Sequence, residues 1–343
     1  MRSPNPARLT LPPLALTMGE AGGVSAEITV KAWRKLRESG PAFFIIADPA
    51  IFNSLDCPVA EIRSPNETGS VFDKALPVIR LERAVTAEPG IASSPNADAV
   101  IESIQRAVAF ALSGEAAAIV TNPIQKSALI KAGFAFPGHT EFLAHLTKDA
   151  LLAGGKTRGP VMMLAGPTLK TIPVTIHQSV VSAAASITQA LIINTAKVAA
   201  EALQHDFAIE KPRLAISGLN PHAGEAGALG SEEREIIAPA ITALRSAGIN
   251  AFGPLPADTM FHSEARSTYD VALCMLHDQA LIPAKTLAFH DAINVTLGLP
   301  IIRTSPDHGT ALDIAGKNQA RADSLIAAIN LAAQIAANRT NAT

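Results

Sequence analysis

Short apolar runs alternate with longer stretches rich in Ala, Ile and Leu along the whole chain. Five short runs fit strands buried on both faces, namely residues 43–46, 117–120, 174–176, 214–216 and 271–276. Helical periodicity is clearest in residues 97–112, 188–203, 232–246 and 324–337. Alternation of strands with helices predicts an α/β fold, in which helices cover mostly parallel sheets.

Polar residues follow each predicted strand within a few positions. They include Asp48, Thr121, Asn122, Lys126, His177, Asn220, His222, His277 and Asp278. In open α/β sheets ligands bind beyond the carboxyl ends of the strands, so these residues predict the walls of a pocket. Ser231 is a natural N-cap for the helix that follows it, and the acidic residues after it suit the first turn of that helix.

Composition narrows the class of protein. The chain has 343 residues, of which 48% are hydrophobic, so it can bury a large core and form two domains. Its net charge of −2 and the lack of a long basic run argue against nucleic acid as a partner. Cys57 and Cys274 cannot form a disulfide framework. The first 20 residues lack the apolar region of a signal peptide, and no run is long enough to span a bilayer, which predicts a cytoplasmic protein without a membrane partner.

Three common nucleotide or hydrolase motifs are absent. The GGKT of residues 154–157 resembles the end of a phosphate-binding P-loop, but Ala150 occupies the position of the required Gly. No GxGxxG follows a strand, and no GxSxG occurs. The sequence therefore favours neither an ordinary Rossmann cofactor site nor an α/β-hydrolase.

Six motifs in order and at matching spacing point to one family. They are GEAGGVSAEI (19–28), TNPIQK (121–126), FPGHTEFLA (136–144), GLNPHAGEAGALGSEE (218–233), GPLPADTMF (253–261), and HDQALIPAK through RTSPDHGTALDIAGK (277–317). Together they resemble the 4-hydroxythreonine-4-phosphate dehydrogenase (PdxA) family of vitamin B6 biosynthesis. The resemblance covers residues 19–317, almost the whole chain.

The resemblance implies a divalent metal held by three histidines. The matching positions are His177, His222 and His277, each just beyond a predicted strand. Three imidazoles with open coordination positions suit Zn²⁺, with Mg²⁺ or Co²⁺ as alternatives. Asp258 and Asp278 are expected to support the catalytic site by orienting a metal ligand or lying beside the ion.

The family's substrate contacts match His139, Thr140, Lys285, Asn294 and Arg303. A phosphorylated amino acid explains these residue types, because cationic side chains neutralise a phosphate or carboxylate and the polar ones fix its orientation. For proton transfer Lys285 is the first catalytic candidate and His139 the second.

The cofactor site is inferred from HGTALDIAGK, residues 308–317. This segment resembles the loop with which β-decarboxylating dehydrogenases bind the adenosine half of NAD without a Rossmann fold. The residues carried over are His308, Gly309, Thr310, Ala311, Asp313 and Gly316. The carboxylate of Asp313 would bind the ribose hydroxyls and repel the extra phosphate of NADP, which predicts NAD over NADP. The alternative is that Asp313 only caps the final helix.

The resemblance also implies an overall architecture. It has two α/β/α domains with mostly parallel sheets and an active-site cleft between them, similar to isocitrate and isopropylmalate dehydrogenases. Residues 1–150 and 306–343 would carry the GHTE substrate loop and the cofactor loop. Residues 151–305 would carry the metal histidines and the interface of a homodimer, whose active site combines residues of both subunits.

The implied reaction is oxidation and decarboxylation of 4-phosphohydroxy-L-threonine to 3-amino-2-oxopropyl phosphate, using NAD and a divalent metal, in pyridoxal 5'-phosphate biosynthesis. Departures from the family pattern, such as Glu20 and Leu276, leave the substrate open. One alternative is a related dehydrogenase of 4-phospho-D-threonate, phosphoerythronate or a dihydrodiol. A second alternative is a metal-dependent phosphometabolite-binding protein without redox activity.

Overall fold

The computed structural model describes residues 11–136 and 138–341. Residues 1–10, for which the sequence predicts no targeting segment, residues 342–343, and Pro137 of the FPGHTEFLA motif lie outside the described residues. The strands are β1 (Leu14–Thr17), β2 (Phe43–Ala47), β3 (Val59–Glu61), β4 (Leu76–Arg80), β5 (Ile119–Val120), β6 (Val161–Ala165), β7 (Lys170–Pro173), β8 (Arg213–Ser217), β9 (Asn250–Leu255), β10 (Val271–Cys274), β11 (Ile293–Leu297) and β12 (Arg303–Pro306). The α-helices are α1 (Ser25–Leu36), α2 (Thr68–Val71), α3 (Ala97–Leu112), α4 (Lys126–Lys131), α5 (His139–Leu146), α6 (Val180–Ser186), α7 (Gln189–His205), α8 (Ala238–Ser246), α9 (Ser263–Arg266), α10 (His277–Ala288) and α11 (Asp323–Asn341).

The chain divides into two compact units. Among the described residues, the first comprises residues 11–136, 138–151 and 299–341, and the second comprises residues 152–298. The return to the first unit lies earlier than the sequence boundary at residue 305, because β12 pairs with β5 and Arg303 lies opposite Ile119.

The sheet of the first unit is parallel throughout, in the order β3-β4-β2-β1-β5-β12. Helix α3 shows how a helix covers it. Its buried residues include Val100, Ile104, Ala107 and Val108, which recur at helical spacing along one face. The hydroxyl of Ser103 on that face donates to the carbonyl of Ile46 over 2.7 Å, which ties the helix to β2.

The sheet of the second unit has the order β11-β6-β7-β10-β8-β9. Its first two pairings, β11 with β6 and β6 with β7, are antiparallel, and the remaining three are parallel. A hydrophobic cluster on this sheet includes Leu164, Met260, Ala272, Cys274 and Ala284. The predicted fold class, α/β with mostly parallel strands, is therefore confirmed.

Most predicted elements occur with small shifts of their ends. Helix α3 has the predicted bounds. The strand predicted at residues 174–176 is wrong, because β7 ends at Pro173 and the chain bends before His177. The helix predicted after Ser231 begins at residue 232, and Glu235 donates its backbone N–H to the carbonyl of Ser231 over 2.9 Å, so Ser231 occupies the predicted N-cap position. The first turn of this helix is π-helical, Glu233–Ile237.

Cys57 and Cys274 are both free thiols, and Cys274 is buried within β10 as predicted. Across residues 11–136 and 138–341 no helix combines the length and the apolar character needed to cross a membrane.

Candidate active site

A buried guanidinium lies on the last strand of the first unit. Arg303 is 4% exposed, and its Nε and Nη2 donate to Thr121 Oγ1 over 3.1 and 2.7 Å. Thr121 in turn donates its backbone N–H to the carbonyl of Thr304 over 3.0 Å. Burial lowers the pKa of Arg303 to about 10, so the side chain remains a cation at neutral pH. Pairing of β5 with β12 thus fixes the position of this charge.

His139, the first residue of α5, lies close enough to Arg303 to feel its charge. Burial, followed by the charges of Arg303 and Lys126, lowers the pKa of His139 well below its ordinary value of 6.5. Its Nε2 is shielded from solvent and has no hydrogen-bond partner in the described part of the chain. The imidazole is therefore neutral at neutral pH and has one nitrogen ready for a ligand. Thr140 follows it and is half-buried.

The predicted cofactor loop follows β12 in the first unit. His308 and Gly309 are exposed, and His308 Nδ1 lies 2.9 Å from the carbonyl of Gly309. Ala311 has a left-handed backbone with φ 46°, and the 3-10 turn Leu312–Ile314 follows it. The side chain of Asp313 is exposed and makes no hydrogen bond to described residues, so its carboxylate can accept bonds from ribose hydroxyls. The final helix begins ten residues later, at Asp323, so Asp313 does not cap it.

A glycine-rich loop packs against this segment within the first unit. Val24 donates its backbone N–H to the carbonyl of Thr310 over 3.0 Å. A Cβ on Gly23 would lie 2.7 Å from the same carbonyl oxygen, so the approach requires glycine. Glu20 is buried, accepts from the backbone N–H of Gly22 over 3.2 Å, and has a pKa raised mainly by burial. Residues near the first strand therefore set the shape of the cofactor loop near Thr310.

In the second unit, His177 and His277 lie side by side, with ring centroids 6.2 Å apart. Nδ1 of His277 lies 2.7 Å from Oδ1 of Asp278. A carboxylate only accepts, so Nδ1 carries the proton of this contact, and in the neutral imidazole this tautomer leaves the lone pair on Nε2, where a metal ligand needs it. In the described ranges no three His, Cys, Asp or Glu side chains form a group that could hold an ion. His222 is therefore not grouped with His177 and His277 in a set of three, and the pair alone offers two imidazoles, a donor type that Zn²⁺ accepts.

Main-chain and amide hydrogen bonds hold the strand ends beside this pair. Met275 donates its backbone N–H to Ser217 Oγ over 3.1 Å. Gln279 accepts from the backbone N–H of Leu276 over 3.0 Å and donates to the carbonyl of Gly218 over 3.1 Å. The ends of β8 and β10 are thereby tied together at the first turn of α10.

His222 lies in the turn Pro221–Gly227, whose residues 222–226 all have positive φ values between 42° and 79°. Left-handed backbone costs about 1–2 kcal/mol for each residue other than glycine, so other contacts must stabilise the turn. Glu233 does so from the following helix, where it is buried. Its Oε1 accepts from the backbone N–H groups of Leu219 and Asn220 over 2.8 and 2.7 Å.

The other predicted residues of the second unit lie on three elements. Lys285 is half-buried on α10, two turns beyond His277. Asn294 is half-buried on β11. Asp258 is exposed in the 3-10 turn Ala257–Thr259, and with Asp278 it lines a groove of about 520 Å³.

Sequence reasoning missed the residues that position the others. Glu20, Gln125, Glu233 and Gln279 bind backbone groups or side chains of the candidate site. The sequence signal was weak but present, since all four residues belong to the quoted motifs. The acidic residues after Ser231 were interpreted only as favourable for the helix dipole, whereas Glu233 anchors the turn that carries His222.

Comparison with known proteins gives a consistent result. The sequence model of the family described as pyridoxal phosphate biosynthetic protein PdxA matches residues 41–332. The 4-hydroxythreonine-4-phosphate dehydrogenase of Bradyrhizobium diazoefficiens is 53% identical over 343 residues, which cover 96% of this chain and 98% of that protein. The crystal structure of 4-hydroxythreonine-4-phosphate dehydrogenase from Klebsiella pneumoniae has a TM-score of 0.81 and 36% identity, covering 95% of this chain and 98% of that one.

A more distant solved structure is the terephthalate 1,2-cis-dihydrodiol dehydrogenase of Burkholderia xenovorans. Its TM-score is 0.62 and its identity 26%, with 94% of this chain and 97% of that one covered. The family match spans well over half of the chain, and the similarity to the Bradyrhizobium protein is nearly full length. The chain therefore belongs to the PdxA family of pyridoxal phosphate biosynthetic proteins.

Proposed function

We propose that the protein oxidises and decarboxylates 4-phosphohydroxy-L-threonine to 3-amino-2-oxopropyl phosphate, with NAD and a divalent metal, in pyridoxal 5'-phosphate biosynthesis. Bound NAD⁺ would accept a hydride from the alcohol carbon, whose hydroxyl gives up a proton. The resulting β-keto acid would lose carbon dioxide, and the carbon left behind would take up a proton to give the product. Support comes from family membership and from relatives at 53% identity that carry the name of this dehydrogenase.

The structural observation that carries the proposal is the cationic group in the first unit. Arg303 supplies a fixed charge, and His139 supplies an imidazole nitrogen without a partner among the described residues. A phosphate monoester matches such a group, because its oxygens accept several charge-assisted hydrogen bonds. A cis-dihydrodiol has no phosphate, so this feature favours a phosphorylated substrate.

The cofactor residues proposed are His308, Gly309, Thr310, Ala311, Asp313 and Gly316. Bound NAD supplies the hydride acceptor, and the chain supplies orientation and electrostatics. Asp313 offers an exposed carboxylate to the ribose hydroxyls and disfavours a 2'-phosphate by like-charge repulsion. NAD is therefore proposed over NADP.

The metal ligands proposed are His177, His222 and His277. A bound divalent ion would act as a Lewis acid towards the substrate oxygens. Asp278 holds His277 in the tautomer that leaves Nε2 unprotonated, and Glu233 holds the turn that carries His222. Imidazole ligands favour Zn²⁺, with Co²⁺ and Mg²⁺ as the other ions to test.

Lys285 is proposed as the group that moves the hydroxyl proton, with His139 as the alternative. Thr140 and Asn294 are proposed to orient the substrate by hydrogen bonds. Asp258 is proposed to support the site from the groove that it shares with Asp278.

A homodimer is proposed through the second unit. Helices α6 and α10 expose large apolar side chains, with Val180, Val181 and Ile282 exposed by 71%, 81% and 63%. Phe289, just after α10, is 72% exposed. Large exposed apolar side chains of this kind mark an interface, and a second copy is the partner expected from the family resemblance.

Sedimentation velocity tests the dimer. Ile282→Glu should shift the dimer towards monomer, since it places a charge in the apolar surface. Ile130→Glu is the matched control, because Ile130 is 58% exposed on the first unit. A dimer unchanged by Ile282→Glu would contradict this interface. The cytoplasmic location expected from the sequence stays a prediction.

The function is tested by following NADH absorbance with purified protein, a divalent metal, NAD and 4-phosphohydroxy-L-threonine. A parallel reaction contains 4-phospho-D-threonate, and a third contains a cis-dihydrodiol. Metal-dependent NADH formation with the amino acid alone supports the proposal. Turnover of 4-phospho-D-threonate alone would indicate an enzyme of sugar-acid catabolism, and turnover of the cis-dihydrodiol alone would indicate one of aromatic catabolism. Calorimetric absence of NAD binding would favour a non-redox binding protein.

A further inference from the structure

Lys126 is a cation of the TNPIQK motif to which the function above gives no role. It is the first residue of α4 in the first unit and is exposed. Its Nζ and Cε lie 3.4 and 3.3 Å from the place that a Cβ on Gly138 would occupy. The ammonium group thus lies against the backbone that begins α5, one residue before His139.

Three potential cations converge at this point. The charges of Arg303 and Lys126 both act on His139, and both disfavour its protonation. An acidic group, Glu141, lies at the same place, with its Oε2 3.5 Å from the same Cβ position on Gly138. Within residues 11–136 and 138–341, Lys126 nevertheless forms no ion pair and no side-chain hydrogen bond. The cluster therefore keeps a net positive charge when His139 is neutral.

The three side chains offer complementary interactions to one anion. Arg303 presents a planar guanidinium fixed by its strand, and His139 presents the shielded Nε2. Lys126 adds a flexible point charge that can follow the ligand. A tetrahedral dianion with several acceptor oxygens satisfies such a set, whereas a single carboxylate engages fewer donors.

We propose that Lys126 binds the phosphate group of the substrate together with His139 and Arg303. The assignment rests on the proposed function, since it takes the phosphate from the substrate of that reaction. It adds a residue from the TNPIQK motif to the expected substrate contacts.

The test compares Lys126→Met with Lys126→Arg and with Lys131→Met. Lys131 is an exposed lysine in the last turn of the same short helix, which makes it the matched control. Lys126→Met should lower kcat/KM for 4-phosphohydroxy-L-threonine about tenfold, the usual effect of losing one charge-assisted bond. It should change kcat/KM for unphosphorylated 4-hydroxy-L-threonine less than about twofold. Lys126→Arg should retain most activity, and Lys131→Met all of it.

A second measurement does not depend on turnover. Binding of inorganic phosphate to the full-length protein, followed by isothermal calorimetry, should weaken about tenfold in Lys126→Met and not in Lys131→Met. Equal losses with both substrates, or unchanged phosphate binding, would overturn the assignment. If the wild-type protein forms no NADH from the phosphorylated substrate, the proposed function fails, and phosphate binding still decides the role of Lys126.

Discussion

The hydroxyl of Thr310 donates a hydrogen bond to Oε1 of Gln125 over 3.0 Å. The two residues are 185 positions apart in the sequence. One belongs to the predicted cofactor loop, and the other directly precedes Lys126. A single side-chain contact therefore links the segment proposed to bind phosphate with the segment proposed to bind NAD.

Gln125→Ala should raise KM for NAD about fivefold, because loss of one hydrogen bond worth about 1 kcal/mol frees the loop near Thr310. Steady-state kinetics with varied NAD measure the effect. Ser127→Ala is the control, since Ser127 accepts from the amide nitrogen of Gln125 and the bond to Thr310 survives its loss. If the effects of Gln125→Ala and Thr310→Val on KM for NAD add up in the double variant, the hydrogen bond between the two side chains does not contribute to NAD binding.

Asp313→Asn should shift the ratio of kcat/KM for NAD over NADP towards NADP by about tenfold, since it removes the charge that repels a 2'-phosphate. The ratio is measured with both cofactors under one set of conditions. Asp73→Asn, at another exposed carboxylate of the first unit, should leave it unchanged. If the NAD over NADP ratio is also unchanged in Asp313→Asn, Asp313 does not contribute to the choice of cofactor.

Asp278→Asn should weaken Zn²⁺ affinity about 10- to 100-fold, the usual result of losing a carboxylate that orients a histidine ligand. Competition with a chromogenic chelator measures the affinity. Asp291→Asn is the control and should leave the Zn²⁺ affinity unchanged, because Asp291 is an exposed carboxylate elsewhere in the same unit. Identical affinities of the two variants would exclude an orienting role.

Glu233→Ala should lower the free energy of unfolding by about 2 kcal/mol, because it leaves the partly buried N–H groups of Leu219 and Asn220 without their acceptor. Urea denaturation measures the loss. Glu235→Ala should cost less than about 0.5 kcal/mol, since the Glu235 side chain is 58% exposed. Equal losses in both variants would contradict an anchoring role for Glu233.

His139 predicts a pH dependence of stability. Burial holds its folded-state pKa below the ordinary value of 6.5, so the unfolded chain binds more protons between these two pKa values. The neutral imidazole makes its full contribution to the free energy of unfolding above pH 6.5. This contribution declines as the pH falls towards the folded-state pKa.

Replacement by Asn removes this titration. The stability difference between wild type and His139→Asn should change by about 1 kcal/mol between about pH 7.5 and pH 5.5, in the direction that disfavours wild type at the lower pH. Urea denaturation at both pH values measures it. A constant difference would mean that His139 titrates alike in the folded and unfolded chains.

The sequence predicted elements well where one physical signal dominated. Helix α3 has its predicted bounds because its apolar residues recur at helical spacing along one face. The run at residues 174–176 has the composition of a strand, yet Thr175 donates its hydroxyl to the carbonyl of Met275 over 2.7 Å, where the chain bends away from β7. Composition does not reveal a bend held by a residue 100 positions away.

The sequence identified the chemically reactive residues of the candidate site but not the residues that position them. Residue type and family resemblance selected His139, Arg303 and His277, whose chemistry is visible in the side chain itself. Glu233 and Gln125 act by accepting hydrogen bonds from groups that are distant or concealed in a loop. Their roles depend on the folded path of the chain, and no local pattern encodes that path.

The division of the chain has a consequence for synthesis on the ribosome. The first unit needs residues 299–341, which emerge after the continuous stretch of residues 152–298 that forms the second. At ~5–20 residues per second this stretch takes roughly 7–30 s to translate. During that interval β5 lacks its neighbour β12 and offers an open strand edge, the kind of surface that aggregates or recruits chaperones. Nascent chains should therefore be most prone to aggregation before residues 299–341 have emerged.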